Sequence, residues 1–409
     1  MLFPADSKTP EPNFASPVLF LVTVLGRRTK QNLPFASGIR SSGKGRASSP
    51  IRSATLRIAA LSANRTASAI RSAPQRKEMS MNSRKAVRLS VAVLLAIGGV
   101  PLAEAQLTRS WVASSGLDTN DCTRPTPCRT FGRAISVSNS GAEVVVMDSA
   151  GYGPFTINKP ISIISPPAFH AAIAPTSGTA ITISSGISGA VVIRGLYLNG
   201  QGATNGILQQ GNNALIMENV VISGFTTGLN FDVGTTPRFI VTDSTIRNSS
   251  DGILWKGASP GRGVLERTRL ENNTVRAFYI NSGGTFSIRD SIVTEGSHGV
   301  FLDTLDPASV DLINSAVFNN DGIGIYASAS GAGAVDVNLD HCLMSRNGSA
   351  IVAQSPIGAS VIRVAQSLIA NNNNGVSWGG AMASVISRGD NTLENNNSGN
   401  TFTSTYPAK

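Results

Sequence analysis

A unit of about 24 residues recurs from residue 190 onward, and it constrains the fold more than any other feature. Each copy has two alternating apolar strands joined by a short polar step, as in IVTDSTI (240–246) and VDLINSAV (310–317). An Asn-rich turn, a Gly and a third apolar strand follow, as in GILW (252–255). The step residues lie 23 to 26 residues apart and are Gly195, Asn219, Asp243, Arg267, Asp290, Asn314, Asp340, Gln366 and Asp390.

Three short strands cannot bury their apolar faces alone, but coils stacked about 4.8 Å apart bury them continuously and satisfy their hydrogen bonds. The repeat therefore predicts an all-β fold, a single parallel β-helix. Leucine-rich repeats need a Leu framework that is missing here, and propeller blades need a longer period. The turn residues Asn248, Asn272, Asn319, Asn371 and Asn395 suit a left-handed backbone and a stack of hydrogen-bonded amides. Glycosylation sequons are the alternative interpretation of some of these residues.

Residues 81–105 have the three parts of a signal peptide. A basic start with Arg84, Lys85 and Arg88 is followed by an apolar run of about 12 residues and the motif Ala103-Glu104-Ala105. We expect cleavage before Gln106; a permanent membrane anchor, the alternative, needs about 20 apolar residues. We expect residues 1–80 to be an untranslated or disordered extension, with translation starting at Met79 or Met81, and a genuine basic N-terminal region is the competing interpretation.

Charge argues against a nucleic-acid partner. The net charge of +10 arises in residues 1–80, which hold thirteen Lys and Arg against three Asp and Glu. From Gln106 onward the chain has eighteen basic and twenty acidic residues, so the exported protein would lack the basic surface that binds polyanions.

The segment after the signal peptide is expected to close the front of the stack. We predict an N-terminal cap over residues 106–140, with a short helix in CRTFGRAISVS (128–138) and a disulfide between Cys122 and Cys128. The β-helix is predicted over 141–399, and a C-terminal tail or cap over 400–409. Cys342 falls at an inward strand position and is expected to be a buried, inert thiol.

Two segments carry a family resemblance. WVASSGLDTNDCTRPTPCRTFGRAI (111–135) and VVVMDSAGYGPFTINKPISI (144–163) resemble the opening of secreted right-handed β-helix repeat proteins of the pectin-lyase-like superfamily. The resemblance implies a right-handed coil and a secreted, periplasmic or extracellular location. The superfamily includes polysaccharide lyases, glycoside hydrolases, epimerases, phage tailspikes and surface proteins of no known activity, so the fold alone implies no single function.

The third strand of each coil offers a candidate contact strip. A strict 24-residue register turns Leu229, Phe231, Ile253, Trp255 and Tyr279 inward. The residues expected to face solvent and contact carbohydrate are Asn230, Asp232, Lys256, Phe278, Phe301 and Asp303. Ordinary solvated surface is the alternative, and a register error of one residue would exchange the two sets.

Catalytic groups are not brought together by this alignment. Asp232 and Asp303 are three coils apart, roughly 14 Å, which is too far for a carboxylate pair. His298 is expected to be a turn residue, no metal site is predicted, and no cofactor is expected beyond weakly bound Ca²⁺. The sequence therefore favours a secreted, non-catalytic β-helix that binds polysaccharide or a cell-surface glycan, without a membrane span. The alternatives are a lyase or hydrolase acting on uronate-containing polysaccharide, and a tail-fibre or adhesin component.

Overall fold

The computed structural model describes residues 106–232, 237–257 and 260–407. The signal peptide predicted at 81–105 and the segment 1–80 lie outside the described residues. Within the described ranges, no helix is both long enough and apolar enough to cross a bilayer.

The chain visits three parallel sheets in turn, and each strand pairs with strands of the coils before and after it. Sheet A has thirteen strands in the described part of the chain, stacked in the order β1 (Leu107–Val112), β2 (Ser138–Val146), β5 (Ile161–Ile164), β8 (Ala190–Arg194), β11 (Ala214–Glu218), β14 (Arg238–Thr242), β17 (Gly261–Glu266), β20 (Gly284–Arg289), β23 (Ala308–Ile313), β26 (Val335–Asp340), β29 (Ser360–Ala365), β32 (Ala383–Ser387) and β34 (Ser404–Thr405).

The strands of sheet B are shorter. Across the described ranges its eleven strands are β3 (Ala150–Gly151), β6 (Ala171–Ile173), β9 (Leu196–Asn199), β12 (Val221–Ser223), β15 (Thr245–Arg247), β18 (Arg269–Glu271), β21 (Ile292–Thr294), β24 (Ala316–Phe318), β27 (Leu343–Ser345), β30 (Leu368–Ala370) and β33 (Thr392–Glu394).

Sheet C forms the third side. Among the described residues its ten strands are β4 (Phe155–Ile157), β7 (Thr179–Ile183), β10 (Asn205–Gln209), β13 (Thr227–Phe231), β16 (Asp251–Trp255), β19 (Arg276–Ile280), β22 (His298–Thr304), β25 (Ile323–Ala329), β28 (Ser349–Gln354) and β31 (Asn374–Gly379). The parallel β-helix predicted from the 24-residue repeat is thereby confirmed.

The corners between sheets A and B follow the predicted step residues. Asp243 and Asn314 adopt φ values of 50° and 49°, the left-handed conformation that permits a one-residue bend. In the last coils the bend falls on His341 and Gly389 instead of Asp340 and Asp390, because those coils differ in length.

The turns between sheets B and C contain two asparagine rows. The predicted Asn248, Asn272, Asn319, Asn371 and Asn395 have φ values between 48° and 61°, which confirms the left-handed backbone. The continuous hydrogen-bonded ladder inside the coil is formed by the residues that follow the turn, where the side chain is buried. For example, the Asn347 backbone N–H donates to Asn372 Oδ1 at 2.9 Å. Its members are Asn273, Asn320, Asn347, Asn372 and Asn396.

The interior is dry and apolar, as the alternating pattern predicts. Ile253 and Trp255 are fully buried, and the rings of Trp255, Phe239 and Phe286 pack with centroids 5.2 to 6.2 Å apart. Cys342 is also buried, and burial raises the pKa of its thiol to about 11. The predicted inert character of this thiol follows from that environment.

A polar network holds the front of the stack. Helix α1 (Phe131–Val137) buries Phe131 against the first coil, and the Thr130 hydroxyl caps it by accepting from the Arg133 N–H at 3.2 Å. The Asp118 carboxylate accepts from the Arg129 and Thr130 N–H groups at 2.9 Å. A disulfide joins Cys122 to Cys128 within this cap.

The back of the stack is covered on one side. Strand β34 pairs with β32 and so extends sheet A by one strand. Trp378, on the last strand of sheet C, occupies an inward-facing row but is 43% exposed. The predicted C-terminal tail therefore closes sheet A and leaves the end of sheet C open.

Candidate binding face on sheet C

Three aromatic side chains lie in one row on the outer face of sheet C. Tyr279, Phe301 and Tyr326 are register partners on the consecutive strands β19, β22 and β25, and each is partly exposed. The Tyr279 and Phe301 centroids are 5.9 Å apart, and the Phe301 and Tyr326 rings stack at 4.3 Å. Leu254 and Val352 continue the row at its two ends. We call Leu254, Tyr279, Phe301, Tyr326 and Val352 the aromatic row.

A small residue sets this register. Gly252, Ala277, Gly299 and Gly324 stand two positions before Leu254, Tyr279, Phe301 and Tyr326 in their strands. A Cβ added at Gly299 would lie 2.4 Å from the Gly324 carbonyl oxygen, so only a very small residue fits there. Counting from this residue places every member of the aromatic row correctly, and this signal was available in the sequence.

One predicted contact residue is wrong. Phe278 is fully buried and packs edge-on against Phe286 at 5.5 Å, whereas Tyr279, predicted inward, lies on the outer face. The cause is an extra residue before β19: the N–H groups of Val275 and Arg276 both donate to the Ser250 carbonyl. Ile253 therefore pairs with Phe278 at a spacing of 25 residues, and the alternation shifts by one.

The other five predicted contact residues lie on the outer face. Asp232 and Lys256 are exposed, and Phe301 and Asp303 are partly exposed. Asn230 is partly exposed and donates from Nδ2 to Asn205 Oδ1 at 3.1 Å. Of these residues, Phe301 belongs to the aromatic row, Lys256 and Asp303 flank it, and Asn230 and Asp232 lie on the coil below Leu254.

An ion pair borders the aromatic row on one side. The Arg276 Nε atom lies 2.8 Å from Asp251 Oδ1, and its Nη2 atom lies 3.0 Å from Oδ2. The side chains are only 23% and 13% exposed. The guanidinium carbon is 3.7 Å from the centroid of the Tyr279 ring, a cation–π contact that also orients the ring. Sequence reasoning missed this pair because the two residues are 25 positions apart.

His298 extends the same border by one coil. Its Nδ1 atom accepts a hydrogen bond from the Ile323 N–H at 3.0 Å, so the neutral ring carries its proton on Nε2. Burial, together with the nearby Arg276 charge, holds the pKa of His298 below its ordinary value. His298, which the sequence suggested was a turn residue, is therefore a neutral hydrogen-bond donor at the start of β22.

The opposite border is more exposed and carries Lys256, Asn281 and Asp303. Asn281 Nδ2 donates to the Tyr279 hydroxyl oxygen at 2.6 Å and to the Asp303 carbonyl at 3.2 Å. The Ser330 hydroxyl donates to Asp303 Oδ1 at 2.5 Å. The aromatic row thus lies between two lines of hydrogen-bonding groups, a composition that suits a ligand with apolar faces and polar edges.

The geometry does not assemble acid–base machinery. Arg276 is engaged by a carboxylate, and the His298 atom that could take a proton already accepts one hydrogen bond. Asp232 and Asp303 follow strands three coils apart, as predicted, which is too far for the carboxylate pair of a glycosidase. Within the described ranges no group of three or more His, Cys, Asp or Glu side chains is arranged to hold a metal ion.

Residues 233–398 match a protein-family model described as a right-handed β-helix region. The described chain is a right-handed parallel β-helix. This β-helix is built as the resemblance to the pectin-lyase-like superfamily implies, and its right-handed fold is confirmed. A search of curated proteins finds no match.

Solved structures with a similar fold include three polysaccharide-acting enzymes. The pectate lyase Pel9A is 16% identical with a TM-score of 0.45, covering 68% of this chain and 80% of its own. The A-module of the Azotobacter vinelandii mannuronan C-5 epimerase AlgE4 is 12% identical with a TM-score of 0.46, covering 66% and 91%. A rhamnogalacturonan lyase is 14% identical with a TM-score of 0.37, covering 70% and 87%. None of these likenesses bears on the ligand of this β-helix.

Proposed function

We propose that this protein binds an extended polysaccharide on the outer face of sheet C without cleaving it. The observation that carries the proposal is the aromatic row, in which Tyr279, Phe301 and Tyr326 stand outward on three consecutive coils. Aromatic rings on a soluble surface are costly unless they contact a partner, and sugar rings present apolar faces that stack on them.

The spacing of the row suits a polymer that runs along the β-helix axis. Neighbouring coils are about 4.8 Å apart, close to the length of one pyranose unit, so each sugar ring can meet a new aromatic side chain. Hydroxyl groups at the ring edges then reach His298 Nε2 on one border and Asn281 on the other. Both side chains are held in place by hydrogen bonds to the protein.

Binding is favoured over catalysis because the groups that border the row are already satisfied. A lyase needs a base beside the sugar and a cation for the uronate carboxylate. Here Arg276 is paired with Asp251, and the Nδ1 lone pair of His298 accepts from the backbone. A lyase or hydrolase activity, the alternative function from sequence, is therefore an outcome that the binding experiment must test directly.

The experiment is a glycan-array screen followed by affinity electrophoresis with the polymers that bind. Phe301→Ala and Tyr326→Ala should each weaken binding at least about tenfold, since each removes one stacking surface. Phe318→Ala is the matched control, because Phe318 is a partly exposed aromatic residue on the outer face of sheet B. Its binding should equal that of the unmodified protein.

Two results would contradict the proposal. If no polymer binds, or if the Phe301→Ala/Tyr326→Ala double variant binds as well as Phe318→Ala, the aromatic row is not the site. If incubation with the bound polymer yields unsaturated or newly reducing ends, and Arg276→Gln abolishes them, the protein is an enzyme.

We further propose that the protein acts outside the cytoplasm. The support is the predicted signal peptide, the Cys122–Cys128 disulfide and the near-neutral charge from Gln106 onward. Expression of the whole chain in a bacterial host should yield an exported product whose N-terminus is Gln106. A product that stays in the cytoplasm at full length would refute this.

A further inference from the structure

We infer that the polysaccharide taken by the sheet C face is uncharged. This inference rests on the proposed function, since it names the class of glycan that the same face would bind. It departs from the uronate-containing substrates that the family resemblance suggests, and it follows from how the few charges of this face are arranged.

The face carries few charges, and they do not favour an anion. Within the ten described strands of sheet C, the only side chains with a full charge are Asp251, Arg276 and Asp303. Asp232 and Lys256 follow directly after β13 and β16. Residues 233–236 and 258–259, whose structure is not described, contain no charged residue in the sequence. Three carboxylates therefore oppose two cations.

Neither cation is available to neutralise a uronate carboxylate. Arg276 donates through two nitrogen atoms to Asp251, in a partly buried pair that also packs on the Tyr279 ring. Taking Arg276 away would leave the Asp251 charge unpaired in a poorly hydrated site, which is unfavourable. Lys256 is exposed and lies one coil above Asp232, whose carboxylate offsets its field.

The remaining polar groups suit hydroxyl partners. His298 is neutral near pH 7, because burial and the Arg276 charge lower its pKa, and it offers one N–H donor. Asn281 has a side-chain oxygen left to accept, and the second oxygen of Asp303 can also accept. An acidic polymer laid along the row would bring about one carboxylate per coil toward Asp303 without a free cation to meet it.

The test compares two polymers that differ only in charge: polygalacturonate in its fully methyl-esterified form and the same polymer after removal of the esters. A neutral glucan and polymannuronate form a second pair. The methyl-esterified or neutral member should bind at least about tenfold more tightly, and its affinity should be the same at low and high salt. Asp232→Lys should narrow the difference between the two members, because it adds a free cation beside the row.

The outcomes separate this inference from the proposed function. Tighter binding of the acidic member that weakens with salt and is lost in Phe301→Ala would overturn the inference and leave the aromatic row as the site. Equal affinity for both members would also overturn it. Binding that is unaffected by Phe301→Ala and Tyr326→Ala would refute the proposed function, and the inference would fail with it.

Discussion

The buried asparagine ladder gives the most quantitative prediction for this fold. Asn347 is 3% exposed, and its Oδ1 atom accepts from the Asn320 N–H at 3.2 Å. Its Nδ2 atom donates to the Val317 carbonyl at 3.0 Å and to Asn372 Oδ1 at 3.1 Å. Replacing Asn347 by Ala removes these bonds at once, in a region that excludes water.

The magnitude follows from what each partner loses. The Asn320 backbone N–H is left buried without its acceptor, which costs about 1 to 3 kcal/mol. The two bonds donated by Nδ2 contribute about 0.5 to 1.5 kcal/mol each. We therefore expect Asn347→Ala to lower the free energy of unfolding by about 3 to 4 kcal/mol, within the range of other broken buried networks.

Urea unfolding followed by far-UV circular dichroism measures this change. Asn371→Gly is the matched control: Asn371 is exposed and has φ 61°, which Gly adopts without strain, so its effect should stay below about 0.5 kcal/mol. Asn347→Ser provides a milder variant, since Ser249 occupies the same ladder position lower in the stack. A loss below about 1 kcal/mol for Asn347→Ala would refute the argument that the ladder stabilises the corner.

Three further predictions concern the cap and the buried thiol. Cys342 should resist alkylation at pH 8 in the folded protein and react once the protein is unfolded, because burial raises its pKa to about 11; rapid labelling of the native state would contradict this. Reducing the Cys122–Cys128 disulfide should lower the free energy of unfolding by about 2 kcal/mol, and a Cys122→Ser/Cys128→Ser variant that unfolds at the unmodified midpoint would contradict it. Burial raises the pKa of Asp118, but hydrogen bonds from Thr130 and from the Arg129 backbone outweigh this and hold it below the ordinary value. The stabilisation by Asp118 should therefore be complete above about pH 5 and lost as the pH falls through the folded-state pKa, so Asp118→Asn should destabilise the protein at pH 6 more than at pH 3.

The sequence determines the architecture because every coil repeats the same demands. Inward residues such as Ile253 and Trp255 follow from alternation, and the left-handed corners follow from Asn, Asp and Gly at one-residue bends. These features are local, so each coil can be interpreted independently. The number of residues between strands is a different matter, because alternation does not say where a turn holds an extra residue.

The candidate site was harder to predict for that reason. The added Val275 exchanged Phe278 and Tyr279 between core and surface, and with them the composition of the row. The pairing of Arg276 with Asp251 depends on the register of neighbouring coils, which spacing counted at 24 residues misses by one. The ladder moved by one position for a similar reason, since Asn272 forms the bend and Asn273 enters the interior.

The parallel stacking of sheet C also has a consequence for how this protein can change in length. Each coil touches chiefly the coil before it and the coil after it, so a whole coil can be duplicated or removed at matching corners without disturbing distant contacts. The number of aromatic rungs, and hence the length of polymer spanned, can grow by gene duplication of a 24-residue segment such as 267–290. Ligand reach would then evolve as a count of units, without redesign of any single one.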